Sequence, residues 1–506
     1  MAYKDRQERA ETSGRPRRAV VIGTGVGGAG IAAQLAQARF DVTVVERNAF
    51  AGGKTAAYTR DGFTMDIAIH LSPRCEKGPI GELARRVHAD LTFLHKMPEL
   101  KMIMGKRACR VPMRFWTPVP VIKTEWAFRF SPLIAKDLVK FGLKVIRIKT
   151  LADVKPYEGM SAAALIKSAI KDPRLAAMLD VMASLMLVLS TQEASAADFL
   201  WGLANWFKNA NSGYPKGGYG RVAASLLEVC ERHGGTIKLG EEARRIRIED
   251  GRVTGVQTDG AFYPADIVVS NAGYKKTMHM AGPEHFSADF VAYADALKDS
   301  QGAVVVQYAL DKQYLHEMAN LYIPNGYDTD SFLESVRRGH DIKPPHLYIV
   351  SPTVMDPDLA PPGKHIINVG TIVPADLANK DATAQVLDMV EETMQLLFPD
   401  LKAHTIWKVR RNIDFFAALG GRGAAESIGL GQRHDQDGTH KPDPRMPVKG
   451  LYAVGADAGG SGIGTELAAD SALNVFDMIM DDRALMSLRS RADARTGFPG
   501  AGAWHG

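Results

Sequence analysis

Between residues 19 and 46 the run of apolar positions switches from continuous to helical and back. "AVVIG" (19–23) is an unbroken apolar, largely β-branched run, as expected of a strand buried on both faces of a parallel sheet. "AGIAAQLAQARF" (29–40) puts Ile31 and Leu35 on one helix face, and "DVTVVE" (41–46) is a second strand closed by Glu46. The same alternation returns later. "RVAASLLEVCERHGG" (221–235) is an amphipathic helix stopped by glycines. "TIKLG", "ARRIRIED", "RVTGVQT" and "AFYPADIVVSNAG" follow as strands, with "EDG" and "TDG" turns among them. "LYAVG" (451–455) is a last apolar strand, with a helix predicted from about Ile463.

Two long stretches separate these pieces. In 96–213 the run from Met160 to Phe207 carries almost no strand pattern, so this insertion reads as helix-rich, and "NANSGYPKGG" (209–218) is a returning loop. In 274–445, "GAVVVQYALD" (302–311), "HLYIVSPTVMD" (346–356) and "KHIINVGTIV" (364–373) are strands of a second sheet, and 382–401 is a helix. No internal repeat is visible.

The glycines between the first strand and helix change the picture from fold to chemistry. Gly23, Gly25 and Gly28 form GxGxxG: a tight turn, a backbone open to a pyrophosphate, and close packing of helix on strand. The helix start, with Val26 and Gly27, offers free N–H groups and the positive end of its dipole to phosphate. Glu46 follows Gly28 at close to the spacing of about 20 residues at which an acid accepts a ribose hydroxyl. After it, "RNAFAGGKT" (47–55) supplies Arg47 and a second glycine pair, Gly52 and Gly53, with Lys54 behind. "GADAGGSGIGTELAADS" (455–471) is another glycine loop feeding a helix start.

Composition adds limits. The chain has 506 residues, 46% hydrophobic and 24% charged, enough for two to four domains. A net charge of +5 is too small to indicate nucleic acid but suits an anionic cofactor or lipid surface. Cys75, Cys109 and Cys230 are odd in number and form no CxxC, so neither a disulfide framework nor a metal site is expected. The polar start has no signal-peptide core, and the longest apolar run, "VMASLMLVL" (181–189), is half a membrane span. A cytoplasmic protein follows, with loose tails at 1–16 and 487–506.

These three glycine-bearing segments resemble the phytoene-dehydrogenase-like group of the carotenoid desaturase and amine oxidase flavoprotein superfamily. The resemblance implies an α/β chain: a Rossmann-type FAD-binding domain with a β-insert, built from 17–95, 214–273 and 446–485, plus an α+β substrate domain from 96–213 and 274–445. It places Ala243 against adenine and Asn271 and Ala272 beside the cofactor. It gives Asp457 the ribityl or phosphate region, and Gly462, Ile463, Gly464 and Thr465 the flavin edge. Lys54 stands where the group usually has Arg, and the C-terminal run departs from the desaturases' "GAGTHPGAG". The implied cofactor is FAD and the implied reaction a desaturation, saturation or isomerisation of a hydrophobic substrate at CH–CH bonds. The electron acceptor stays open among oxygen, a quinone and a nicotinamide, the single dinucleotide cradle disfavouring a dedicated NAD(P)H domain. An amine oxidase and a flavin-free prenyl-binding escort are the competing readings.

No nucleophile motif or metal-ligand spacing stands out, as expected where a flavin carries the chemistry. His70, in "GFTMDIAIH", is the candidate catalytic group, against a structural histidine. Met182, Met186, Trp201, Trp206 and Phe207 either line an apolar tunnel or fill a core. Lys136, Lys140 and Lys144 share a face of the helix predicted at 131–151, which is either a solvated surface or a peripheral membrane contact.

Overall fold

A computed structural model describes residues 17–95, 99–104, 107–112, 132–208 and 212–496. The chain opens with β1 (Arg18–Ile22), α1 (Val26–Gln37) and β2 (Asp41–Glu46), followed by the hairpin of β3 (Ala57–Arg60) and β4 (Phe63–Asp66). The first insertion holds β5 (Glu99–Met104), β6 (Arg107–Pro112), α2 (Pro132–Arg147), α3 (Pro173–Leu187) and α4 (Ala196–Lys208). Then come α5 (Gly220–Arg232), β7 (Thr236–Leu239), β8 (Ala243–Glu249), β9 (Arg252–Thr258), β10 (Phe262–Pro264) and β11 (Ile267–Ser270). The second insertion carries β12 (Gly302–Leu310), β13 (Ala319–Ile323), β14 (Leu347–Val350), β15 (His365–Val373), α6 (Lys380–Leu397), β16 (Thr405–Arg411) and α7 (Ile413–Gly420). The chain closes on β17 (Leu451–Ala453) and α8 (Gly464–Thr496).

A five-stranded parallel sheet runs β17-β11-β1-β2-β7. Its centre is buried on both faces, which is why "AVVI" needs no polar alternation. The strand "TIKL" belongs here, beside β2, and only β8, β9 and β10 form the antiparallel insert. Helix α1 is enclosed almost all round. Gln34 at its far end donates from Nε2 to the Ala472 carbonyl of α8 at 2.9 Å, tying the two ends of the chain together.

The second sheet has seven strands, β16-β12-β15-β14-β13-β5-β6. Strands β5 and β6 correct the helix-rich expectation for the first insertion: this hairpin docks parallel on β13. The signal was a Gly-containing two-residue break between two short strand-like runs. Residues 214–215 also pair as a strand with 93–94 rather than only looping back. At the C-terminus α8 continues past the expected boundary at 485 to Thr496. "RALMSLRSRADART" holds no Gly or Pro to stop it. The rest of the expected tails, 1–16 and 497–506, lies outside the described residues.

Candidate active site

The glycine turn is shaped by backbone contacts. Gly23 sits at φ +94, where a side chain would strain it. A Cβ on Gly28 would overlap the Gly23 carbonyl oxygen, and one on Gly27 would lie 2.7 Å from Gly455 Cα, so both are fixed by packing. Gly25 differs: its Cβ would meet the Asn271 amide at 2.7 Å and faces the cavity. A Cβ on Gly53 would come within 3.7 Å of Gly25 Cα, so the two glycine pairs face each other across the groove.

Glu46 is buried at the end of β2. Its carboxylate accepts from Thr24 N at 2.9 Å and Thr24 Oγ1 at 2.7 Å. Its other oxygen takes Asn48 N and Nδ2, both at 2.8 Å. A ribose hydroxyl would share this acceptor with Thr24, whose hydroxyl also accepts from Gly52 N at 3.1 Å, and with Asn48, whose Nδ2 also reaches the Leu419 carbonyl at 3.4 Å. Arg47 points into the same groove, and its Nη1 is buried without a hydrogen-bond partner. A buried cation donor beside a cradle open to phosphate fits an anionic dinucleotide.

One continuous cavity takes in Gly23, Gly25, Val26, Gly27, Glu46 and Arg47, and also Gly53 and Lys54. Ala243, Asn271, Ala272, Ile463, Gly464 and Thr465 complete this end. Gly28, Asp457 and Gly462 lie behind the wall. Asp457 is enclosed by Tyr274 N at 2.8 Å, Leu430 N at 3.0 Å and Arg422 Nη1 at 3.0 Å. The Gly462 carbonyl accepts from Gln432. Lys54 lines the groove, but its Nζ is bonded to Glu426. Sequence reasoning missed the end of α7, with Leu419 and Gly420, and the loop after it, from which Arg422, Ser427 and Ile428 reach the cavity. Its signal was the glycine-rich "LGGRGAAESIGLG" just behind an apolar helix.

At its other end the cavity becomes apolar. Met182, Leu185 and Met186 of α3 and Trp206 of α4 form one wall; Val305 of β12 and Leu321 of β13 form another. Of the five residues weighed as tunnel or core, Met182, Met186 and Trp206 line it, whereas Trp201 and Phe207 pack against the core. His70 lines the same cavity, stacked on Tyr219 with ring centroids 4.5 Å apart. Its Nε2 is 3.1 Å from the Lys54 carbonyl, which makes Nε2 the donor and leaves Nδ1 as acceptor. Burial pulls its pKa down to about 4, so the ring is neutral at physiological pH.

Beneath it, Asp66 accepts from Tyr219 N at 2.9 Å and from the Tyr214 hydroxyl. Burial pushes its pKa up to about 7. A raised carboxyl pKa means that the folded state holds a proton the unfolded chain releases. The associated stability is therefore complete at acid pH and lost as pH rises through about 7. Asp66→Asn, which cannot ionise, should gain stability over the parent as pH climbs from about 4 to about 7 and hold that gain above it. Urea midpoints at pH 5 and pH 8 test this; an equal difference at both would refute it.

Arg74 and Glu466 close the back of the site. Arg74 donates from Nε to Glu466 Oε2 at 2.6 Å, with Nη2 equally close, and the side chains are 9% and 4% exposed. Glu466 is thus more than a residue of the first helical turn: it anchors α8 to the segment after His70. Among the described residues, Cys75, Glu76 and His95 bring three possible metal-ligand atoms within 4.8 Å of one another, with His95 already bonded to Glu76.

The chain's similarities agree with this geometry. The family model described as flavin containing amine oxidoreductase matches residues 29–475. A zeta-carotene-forming phytoene desaturase of Myxococcus xanthus is 26% identical, covering 98% of this chain and 100% of that protein. A chloroplastic prolycopene isomerase of Arabidopsis thaliana is 23% identical over 86% of this chain and 76% of its own length. The crystal structure of an oxidoreductase from Methanosarcina mazei superposes with a TM-score of 0.70 at 23% identity, covering 91% of this chain and 100% of that one. The cradle, its unpaired Arg47 donor and the extent of the family match lead to one conclusion: the chain belongs to the flavin-containing amine oxidoreductase family and is an FAD-dependent oxidoreductase.

Proposed function

We propose that the protein oxidises, or isomerises through its redox cofactor, an isoprenoid-like hydrocarbon chain at CH–CH bonds. One observation carries this reading: the dinucleotide groove and the apolar side chains line a single cavity, with His70 among its lining residues. FAD, when bound, supplies the two-electron chemistry that no side chain here can. The residues supply the rest. Gly23, Gly25, Val26, Gly27 and Gly53 would cradle the diphosphate, and Glu46 and Ala243 would hold the adenosine end. Asn271 and Ala272 would lie along the middle, and Ile463, Gly464 and Thr465 at the helix start would face developing negative charge. Gly28, Gly462 and Asp457 would act from behind, by packing and by fixing the loops. Met182, Leu185, Met186 and Trp206 exclude water and gain from contact with a hydrocarbon. His70 can take a proton only at Nδ1, so we assign it to positioning within the cavity and to proton exchange on that side.

The five-stranded sheet draws every strand from 17–95, 214–273 and 446–485, and the seven-stranded sheet draws all of its strands from the two insertions. This supports assigning the first set to FAD and the second to substrate. Anaerobic mixing with phytoene in liposomes tests the function: loss of the yellow absorbance with growth of a longer conjugated polyene is expected. Bleaching by primary amines but not by phytoene would move the protein to amine oxidation. A change of double-bond geometry without consumption of oxygen or quinone would assign isomerisation.

Such a substrate must be collected from lipid. Among the described residues no helix is long and apolar enough to cross a membrane. Helix α2 instead offers a surface. Val139, Leu143 and Ile146 are 52%, 49% and 64% exposed and recur at helical spacing on one face. The basic face is partly used internally: Lys140 Nζ bonds the Ser168 carbonyl at 2.7 Å, and Lys144 lies over the Tyr157 ring. Lys136 and Arg147 remain exposed beside the apolar stripe. An apolar stripe with basic margins suits an anionic bilayer surface. Helix α2 packs on α4, whose Trp206 reaches the cavity. Replacing Val139, Leu143 and Ile146 together by Ser should cut co-sedimentation with phosphatidylserine-containing liposomes by about tenfold or more, at roughly 1 kcal/mol or more per buried side chain. Unchanged co-sedimentation would reject the contact.

A further inference from the structure

Among the described residues, four cations reach the dinucleotide groove: Arg47, Lys54, Lys276 and Arg422. They are not equally available. Lys276 Nζ bonds the Gly421 carbonyl at 2.8 Å and faces Glu242 at 3.3 Å. Lys54 Nζ bonds both the side chain and the main-chain oxygen of Glu426, at 2.8 and 2.5 Å. Glu426 is enclosed, with 1% of its side chain exposed, and its Oε1 also stands 3.5 Å from Arg422 Nε. Arg422 directs Nη1 at both oxygens of Asp457, at 3.0 Å each. Its guanidinium packs against Gly273, where a Cβ would come within 2.9 Å of Cζ and Nε. Gly273 directly follows Asn271 and Ala272, which line the groove.

We propose that Arg422, carried on the loop after α7, binds the FAD diphosphate together with Arg47, while Glu426 withholds Lys54 from it. The lysine behind the second glycine pair is thereby a partner of Glu426 rather than of phosphate. The cationic contact comes instead from a loop of the substrate region, which nothing in the first 95 residues encodes. The chemistry favours this exchange. Both cations face carboxylates, so the difference lies in donors: a guanidinium with Nη1 on Asp457 and Nε beside Glu426 still carries further N–H groups for a phosphate oxygen, whereas the single ammonium nitrogen of Lys54 is drawn to the Glu426 carboxylate and main-chain carbonyl. A fixed carboxylate beside a diphosphate also repels it, so Glu426 lowers FAD affinity as it orders the loop.

The test compares two substitutions with opposite expected signs. In purified holoprotein, Arg422→Met should raise the FAD dissociation constant by about tenfold or more, the loss of one charge-assisted hydrogen bond. Arg422→Lys should fall between. Glu426→Gln should lower the constant, because Lys54 is released toward the diphosphate. After flavin removal, ADP affinity should drop in Arg422→Met while adenosine affinity stays unchanged, which ties the effect to phosphate. If Glu426→Gln weakens FAD as Arg422→Met does, or if ADP affinity is unchanged in Arg422→Met, the residues are internal struts and the proposal fails. Should Arg422→Met not fold, Arg422→Lys and Glu426→Gln still carry the contrast. A parent protein that holds no FAD would instead overturn the cofactor assignment, on which the proposal rests.

Discussion

Gly25→Val should yield a folded protein that purifies colourless. Gly25 has φ −59 and ψ 169, open to any residue, so valine adds no backbone strain. Within 4 Å its Cβ would meet only the Asn271 side-chain amide, which can turn aside. The added carbons would instead fill the approach of the diphosphate to the turn. Flavin content should fall below about a tenth of the parent, a loss of at least about 1.4 kcal/mol in affinity. The contrast with Gly28→Ala sharpens the point. There the new Cβ overlaps the Gly23 carbonyl, a backbone atom held by the sheet, so the whole fold should suffer by about 1–3 kcal/mol or more. Circular dichroism with flavin absorbance separates the two. A yellow Gly25→Val protein would show that the diphosphate does not cross this turn.

Arg74→Met should be the most damaging single change to stability. It leaves the Glu466 carboxylate enclosed with no cation, and breaking a buried pair from one side costs about 3–5 kcal/mol. Burial already raises the Glu466 pKa in spite of Arg74, so the lone acid would take up a proton instead of staying charged. The deficit should accordingly shrink toward acid pH. The double variant Arg74→Met, Glu466→Gln should recover much of the loss, since the orphaned charge is then gone. Urea unfolding of the three variants measures this. An Arg74→Met protein as stable as the parent would mean that water reaches Glu466.

The cofactor half of the molecule was legible because its function is written into local patterns. The turn from Gly23 to Gly28, the acid at Glu46 and the strands about it are dictated within about 30 residues by period and glycine placement. Groove-lining residues from three distant segments were therefore found without contacts. What escaped was decided by neighbours far away in sequence. Lys54 reads as a phosphate ligand from sequence, and it lines the groove, but its bond to Glu426 of the second insertion could not be read there. Asp457 reads as a cofactor ligand from sequence, with no sign there of its partners Arg422, Leu430 N and Tyr274 N. The helix of Lys136, Lys140 and Lys144 was recognised as amphipathic. Which face meets solvent, however, depended on α4 covering Phe141 and Val145 and leaving Val139, Leu143 and Ile146 bare. Strands β5 and β6 were hidden for a similar reason, since their partner β13 lies in the other insertion.

The order of strands in the parallel sheet also bears on how the protein is made. Of the five strands of this sheet, the one synthesised first is the middle one, and its flanking partner β11 and the outermost β17 are synthesised long after it. Until β17 and the start of α8 emerge, the edge of β11 has no mate and the groove lacks its far wall. Nascent chains arrested before residue 451 should thus depend on chaperones and stay dark. Vitamin supply would then govern the yield of finished molecules without helping unfinished ones, because a ligand can stabilise only a state that already binds it.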